Sequence, residues 1–279
     1  MFKKIMMTMA VMILSLPFVT AEEKEGTEGL KVMSYNIRLG SADDKTNSWA
    51  LRYTATEEML KDQAPDVFGV QEALVYQVAF IEDICGYESV GVGRENGKKE
   101  GEHMSIFWNK KTVKMLKWGT FWLSETPEKP SKGWDAECFR TATWALMKDK
   151  KTGKKFYFVN THLDHKGTEA QKNGLKLIVD RIAEINPDGL PMVLTGDFNI
   201  EPKNPALKDL DARMQSARKI AVKTDDHATY NGWGKSSTMI DYIYVSGFSS
   251  CPEYQTVTKR YEDRKFISDH YPIFARLIF

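Results

Sequence analysis

The sequence has 279 residues, 42% of them hydrophobic and 28% charged, with 39 Lys and Arg against 38 Asp and Glu. This composition excludes a collagen-like, low-complexity or disordered chain and supplies apolar residues for a large core. A charge so close to zero also excludes the overall basic excess that drives sequence-independent binding to nucleic acid.

The chain opens MFKKIMMTMAVMILSLPFVTA, with Lys3 and Lys4 ahead of an apolar run from Ile5 to Leu16 and a small-residue end at Ala21. That is the pattern of a secretory signal peptide over residues 1–21. The run is short for a bilayer span of ~20 residues, so an uncleaved anchor is the secondary reading. Cleavage near Ala21 removes two lysines and no acids, leaving a formal charge of −1. A secreted or periplasmic protein is expected. Residues 22–29, EEKEGTEG, read as a flexible lead-in. Residues 30–279 read as one domain, because no linker, repeat or composition break divides them. Three cysteines, Cys85, Cys138 and Cys251, allow at most one disulfide, so the fold must rest on its core.

In chain order, LKVMSYNIR alternates as a half-buried strand, and WALRYTATEEMLKDQ carries Leu51, Ala55, Met59 and Leu60 at helical spacing until Pro65 stops it. DVFGVQEA is a buried strand ending in Gln71 and Glu72, and ALVYQVAFIEDI resumes a helical period. The glycine-rich loop GVGRENGKKEGE leads into the strand MSIFWN. Residues 112–124 and 138–149 follow as strands, then KKFYFVNTHLDH. The lysines at 150, 151, 154 and 155 around Gly153 read as a solvated hairpin tip rather than a nucleic-acid track. A helix is predicted over 168–186, then the strands PMVLTGDFN, TMIDYIYVS and YPIFARLIF. Helices after some strands and antiparallel pairing elsewhere predict an α+β sandwich of two packed mixed sheets with helices outside. Trp118, Trp122 and Trp144 lie in strand-like runs and are expected in the core. Trp134 and Trp233 sit beside glycines and are expected at a pocket rim. His103 and His227 are read as edge histidines near that pocket.

Five apolar strands stop at polar groups: Asn36-Ile37-Arg38, Gln71-Glu72, Asn160-Thr161-His162, Asp197-Phe198-Asn199 and Ser268-Asp269-His270. A sixth, Met239-Ile240-Asp241-Tyr242, places an acid inside an apolar strand, which is costly unless the acid is paired or hydrogen-bonded. Any one of these is an ordinary turn or edge; six ask for a shared site. Glu72 with Asn36 and Asp269 offers hard oxygen ligands for Mg²⁺, with Mn²⁺ or Ca²⁺ as alternatives. His270 and His162 are candidates to hydrogen-bond a phosphoryl group, oriented by Asp241 and Glu102 respectively. Asp197 would orient or deprotonate the attacking water, with Asn199 fixing its position. Arg38 and Arg140 would neutralise phosphate oxygens.

SYNIR, QE, NTH, GDFN, IDYIYVS and the terminal SDH, in that order, resemble the endonuclease/exonuclease/phosphatase superfamily over residues 30–279. The resemblance implies a four-layered αββα sandwich and divalent-metal-dependent cleavage of a phosphoester. By motif it implies that Asn36, Glu72 and Asp269 lie on the metal side and that Asp197 and Asn199 activate water. It further implies that Asp241 and His270 form an acid–histidine pair, with His162 the other phosphate-side histidine. Ile37-Arg38 departs from apurinic endonucleases, which carry an acid two residues beyond the Asn, and argues against abasic-site repair. Asp164 and His165 are an extra pair, read either as a cap for the following helix or as substrate or second-metal ligands. The substrate expected is a phosphorylated small molecule, sugar or lipid headgroup, turned over by a monomer without a stable protein partner. A secreted nuclease and a non-catalytic binding protein on the same fold are the alternatives.

Overall fold

The structure, a computed structural model, describes residues 29–279. The signal-peptide segment 1–21 and residues 22–28 of the lead-in lie outside the described residues. Among the described residues the elements run β1 (Leu30–Asn36), α1 (Tyr53–Gln63), β2 (Val67–Gln71), α2 (Val75–Asp83), β3 (Glu88–Val90), β4 (Ile106–Trp108), β5 (Val113–Trp122), β6 (Thr141–Asp149) and β7 (Lys155–His162). There follow α3 (Thr168–Ile185), β8 (Met192–Asp197), α4 (Lys208–Asp211), β9 (Gln215–Ser216), α5 (Ala217–Ile220), β10 (Asp241–Ser246), β11 (Ser250–Thr256) and β12 (Ile273–Ile278).

Two six-stranded sheets result, in the orders β11-β12-β1-β2-β4-β3 and β5-β6-β7-β8-β10-β9. Each holds one parallel pair, β1 with β2 and β7 with β8, and each pair is joined by a helical crossover, α1 or α3. The remaining ladders are antiparallel.

Three apolar layers hold the stack. Val32, Val67 and Ile106 of the first sheet meet Phe156, Phe158 and Val193 of the second. Met33, Tyr35 and Phe68 pack outward against Ala55, Met59 and Leu60 of α1 and Ile81 of α2. Val159, Leu194 and Tyr242 pack outward against Leu175, Ile178 and Val179 of α3. Helix, sheet, sheet, helix is the four-layered arrangement expected from the motifs.

The inter-sheet layer also carries polar groups. Asn160 of β7 accepts from Gln71 Nε2 at 2.7 Å and from Thr195 Oγ1 at 3.1 Å, and donates to Val70 O at 2.8 Å and Ser105 O at 3.1 Å. Gly69 makes room for this network, since a Cβ there would lie 2.3 Å from Asn160 Oδ1.

Several sequence expectations change in detail. Trp49–Leu51 forms a separate 3₁₀ turn ahead of α1, so Arg52 sits at a junction rather than inside a helix. The strand expected over residues 138–149 begins only at Thr141, and the one expected over TMIDYIYVS begins at Asp241. Trp122 is buried, but Trp118 on the edge strand β5 is 39% exposed and does not belong to the core. All three cysteines are free. No helix among the described residues is long and apolar enough to cross a membrane.

Candidate active site

Strand register brings the polar groups together. Asp197 pairs with His162 across the parallel β7–β8 ladder and with Asp241 across the antiparallel β8–β10 ladder, so three chain segments end at one level. In the facing sheet, Asn36 pairs with Gln71 at the ends of β1 and β2, and Glu72 turns away with φ 63°. Asn199 likewise takes φ 53°, a left-handed conformation that Asn tolerates better than most residues. Asp197, Asp241, His162, His270 and Asn36 are all buried.

Asp197 lies at the centre. Its Oδ1 accepts the Asn199 backbone N–H at 2.9 Å, and its Oδ2 accepts from Asn36 Nδ2 at 3.0 Å. The same Oδ2 lies 3.5 Å from His162 Nε2 and 3.6 Å from His270 Nε2. Burial, reinforced by the negative charge of Asp241, pushes the Asp197 carboxyl up to about 7 against the pull of His270.

The two histidines differ. Burial alone would pull the His270 imidazole down, but Asp241 Oδ2, 2.8 Å from its Nδ1, and Asp197 together push it up to about 10. His270 is therefore an imidazolium at neutral pH. His162 is held well below the usual histidine range by burial and by the guanidinium charges of Arg140 and Arg94. Asn199 Nδ2, which also donates to Leu163 O at 3.1 Å, lies 3.0 Å from His162 Nε2, so that nitrogen accepts and the proton sits on Nδ1.

Glu102, expected to orient His162, is instead held by Arg94 Nη1 at 2.7 Å and lies 3.9 Å from His162 Nδ1, beyond hydrogen-bond reach. Among the described residues His162 Nδ1 is buried without a partner, as are Arg140 Nη1 and Thr141 Oγ1. Arg140 is gripped from behind: its Nε donates to Asp164 Oδ2 at 3.3 Å and its Nη2 to His165 Nδ1 at 3.0 Å. Although burial opposes it, the backbone N–H groups of Gly167, Lys166, Glu137 and Cys138 hold the Asp164 carboxyl well below the usual range. Asp164 thus closes the turn before α3 and fixes Arg140 at once. Donors are thus left over here on His162, Arg140 and the adjacent Thr141.

On the other side, Glu72 accepts from Asn36 Nδ2 at 3.0 Å and from the Leu39 N–H at 2.8 Å. Arg38 does not present a free fork: Asp44 takes its Nε at 2.9 Å and Nη2 at 3.0 Å, and its Nη1 lies 3.5 Å from Asp269. Burial and the Glu72 charge push the Asp269 carboxyl up. The carboxylates of Glu72 and Asp269 and the amide oxygen of Asn36 are hard donors of the type that fits a divalent cation, with Arg38 already beside Asp269. Glu72, Asp197 and His162 bring one donor atom each within 4.8 Å of one another, whereas Asp269 belongs to no such triple.

A cavity of about 510 Å³ opens beside Asn199, lined by Gln171, Glu201, Lys203, Thr238 and Ile240. Trp134 and Trp233 are partly exposed on loops, with φ 50° and 59°. His103 is buried and His227 exposed. Reading the sequence did not single out Arg94, Gln77 or Arg52. Arg52 had a signal: it lies three and four residues before Ala55 and Thr56, on the stripe that α1 buries.

Residues 33–270 match the Endonuclease/Exonuclease/phosphatase family. The fold superposes on a mannosyl-6-phosphatase of Bacteroides thetaiotaomicron with a TM-score of 0.85 and 32% identity, covering 90% of this chain and 100% of that one. A Bacteroides vulgatus endonuclease/exonuclease/phosphatase gives 0.84 and 34%, covering 90% and 99%. Among curated sequences, an uncharacterized protein of Acanthamoeba polyphaga mimivirus is 23% identical over 88% of this chain and 98% of its own length.

Proposed function

Because the chain belongs to the endonuclease/exonuclease/phosphatase family and is a phosphoester hydrolase by that membership, we propose that it is a metal-dependent phosphatase of small phosphomonoesters, sugar phosphates foremost, acting outside the cytoplasm. One observation carries the chemistry: a buried carboxylate oxygen, Asp197 Oδ2, tethered by an amide and placed between two histidine Nε2 atoms.

Asp197 takes the proton of a water held against Asn199, and its raised pKa suits a base working near neutrality. The His270 imidazolium donates to a phosphoryl oxygen, and Asp241 holds it in that charge state. His162 Nδ1–H and Arg140 Nη1, two of the buried donors without a partner among the described residues, would serve two further anionic oxygens. Glu72, Asn36 and Asp269 would hold Mg²⁺, Mn²⁺ or Ca²⁺, which supplies charge neutralisation at the leaving oxygen.

Three observations support a small monoester over a polynucleotide: the near-zero charge, the cavity beside Asn199, and a relative named as a mannosyl-6-phosphatase. The leader-like residues 1–21 support an extracytoplasmic location.

The test is Mg²⁺-dependent release of phosphate from mannose 6-phosphate and glucose 6-phosphate, beside nitrophenyl phosphate, bis(nitrophenyl) phosphate and plasmid DNA, with Asp197→Asn as control. Monoester turnover lost in the control is expected. Turnover of the diester or of DNA alone would replace this reading with the nuclease one, and no turnover of any substrate would favour a binding protein.

A further inference from the structure

Arg52 heads the largest fully buried side chains of the described residues and has no solvent exposure. Arginine is seldom so deep unless a carboxylate pairs it, yet none of the ion pairs among the described residues includes Arg52. Its donors all end on backbone carbonyls. Nε reaches Asn47 O at 2.9 Å, Nη1 reaches Ile37 O at 2.6 Å and Ile267 O at 3.1 Å, and Nη2 reaches Arg38 O at 3.1 Å. Two indoles lie against it as well, with the guanidinium carbon over the Trp49 ring at 5.0 Å from its centroid and over the Trp233 ring at 5.8 Å.

The carbonyls it holds are telling. Ile37 and Arg38 directly follow Asn36, and Arg38 has the left-handed φ of 64° that needs holding. Gln77 Nε2 adds a second donor to Arg38 O at 3.1 Å. Ile267 directly precedes Ser268-Asp269, and Ser268 Oγ in turn donates to Asn36 O at 2.7 Å. Trp233 belongs to the loop whose Asn231 and Gly232 N–H groups donate to Asp269 O at 2.8 and 3.0 Å. Three loops remote in sequence thus meet on one planar cation, and two of them carry Asn36 and Asp269.

We propose that Arg52 is the positioning residue of the metal side of the site, fixing the backbone beside Asn36 and Asp269 and thereby setting divalent-cation affinity. This rests on the metal-dependent reading above. Only a guanidinium has the planar fork to serve four carbonyls while lying over two indoles; a lysine keeps the charge and loses the geometry.

The experiment measures Mn²⁺ binding by electron paramagnetic resonance of the free ion, for wild type, Arg52→Lys and Trp233→Leu. Circular dichroism and melting temperature report folding, and the Mg²⁺ requirement is measured separately from kcat at saturating Mg²⁺. Outer groups that orient metal ligands typically change affinity by roughly 10–100-fold, and a loss of that order is expected in folded Arg52→Lys, with kcat largely recovered at high Mg²⁺. Trp233→Leu, which removes one of the two ring contacts on Arg52 and none of the donors that hold its four carbonyls, shifts affinity in the same direction and carries the test if Arg52→Lys does not fold. Unchanged Mn²⁺ affinity in the folded variant overturns the inference alone. Wild-type protein that binds no Mn²⁺ overturns the metal reading and the inference with it.

Discussion

Asn36 Nδ2 lies 3.0 Å from Asp197 Oδ2, so an amide at the end of β1 in one sheet meets a carboxylate at the end of β8 in the other. The same amide nitrogen reaches Glu72 Oε1 at 3.0 Å. One side chain therefore ties Glu72 to Asp197 across the sandwich, and the distance between them follows from the packing of two sheets.

Asp197→Asn keeps the shape and removes the base. A loss in kcat of ~10²–10⁴-fold is expected, the range for a positioned general base. Since the substitution also removes a buried acid whose ionised form is disfavoured, the melting temperature at pH 8 should hold or rise. A variant that is both inactive and unfolded would instead make Asp197 a structural residue; circular dichroism beside the nitrophenyl phosphate assay distinguishes the cases.

Catalysis on this reading needs Asp197 ionised and His270 protonated. Asp197 stands at about 7 through burial, and His270 is carried to about 10 by Asp241 and Asp197 against the effect of burial. The profile of kcat/KM should be a bell with an acid limb near the first value and an alkaline limb near the second, as macroscopic values of the coupled pair. Added Mg²⁺ places positive charge near the acids and should move the acid limb lower. His270→Asn should abolish the alkaline limb; an unchanged limb there would remove His270 from the proton inventory.

The same shifts bear on stability. The folded pKa of His270 is raised, so its contribution is fully present below the ordinary histidine value of about 6.5 and is lost as pH rises through about 10. Asp197 has a raised acid pKa, so ionising it in the folded state costs stability as pH climbs from the ordinary carboxylate range through about 7. Both act in one direction. The melting temperature of chelator-treated protein should fall steadily between about pH 6 and 10, and Asp241→Asn should flatten the alkaline half. Asp164 has the opposite sign: its depressed pKa gives stability above the ordinary carboxylate value that disappears as pH falls.

Arg140 offers a cleaner test of substrate charge. Its Nε and Nη2 are occupied, and Nη1 is the buried donor left over. Hydrogen bonds to charged groups contribute ~1.5–3 kcal/mol, so Arg140→Lys, which cannot hold Asp164, His165 and a phosphoryl oxygen together, should lower kcat/KM by ~10–100-fold. The loss should be greater for a dianionic monoester than for a monoanionic diester. Equal losses on nitrophenyl phosphate and bis(nitrophenyl) phosphate would mean that Arg140 only holds the loop.

What was legible in the sequence follows from the range of the forces. Strand alternation broken by Asn36, Glu72, His162, Asp197 and His270 is local, and the fold brings those five side chains together. The packed sheets followed from the order of the same segments. The edge strands β3 and β9 were missed because two or three residues carry too little period to register, and β11 because Pro252 and a register shift between Ser250 and Glu253 interrupt its alternation. Glu102 was expected to serve His162, but Arg94, eight residues before it, takes the carboxylate instead. Trp118 reads as core by composition and is exposed because β5 is a sheet edge.

The inter-sheet pin predicts the largest effect on stability away from the chemistry. Asn160 fills four hydrogen-bonding groups at once, on Gln71, Thr195, Val70 and Ser105, and none of them can reach water. Asn160→Leu matches its volume but removes all four bonds, each contributing ~0.5–1.5 kcal/mol, although Gln71 Nε2, Thr195 Oγ1 and Ser105 O keep second partners in Ser34 Oγ, Val159 O and the Val70 N–H. A loss of about 3 kcal/mol in urea unfolding is expected, larger than for a typical core substitution of equal size. Gly69→Ala presses on the same network from the other sheet, with its Cβ 2.3 Å from Asn160 Oδ1 and 2.4 Å from Thr195 Oγ1. Overpacking of this kind costs ~1–3 kcal/mol, and because both changes act through one network, the double variant should lose less than the sum. Additive losses would show that the two sheets are joined by apolar packing alone. If they are joined through Asn160, the activity of each variant should fall with its stability, since the Asn36–Asp197 distance depends on the same sheet-to-sheet fit.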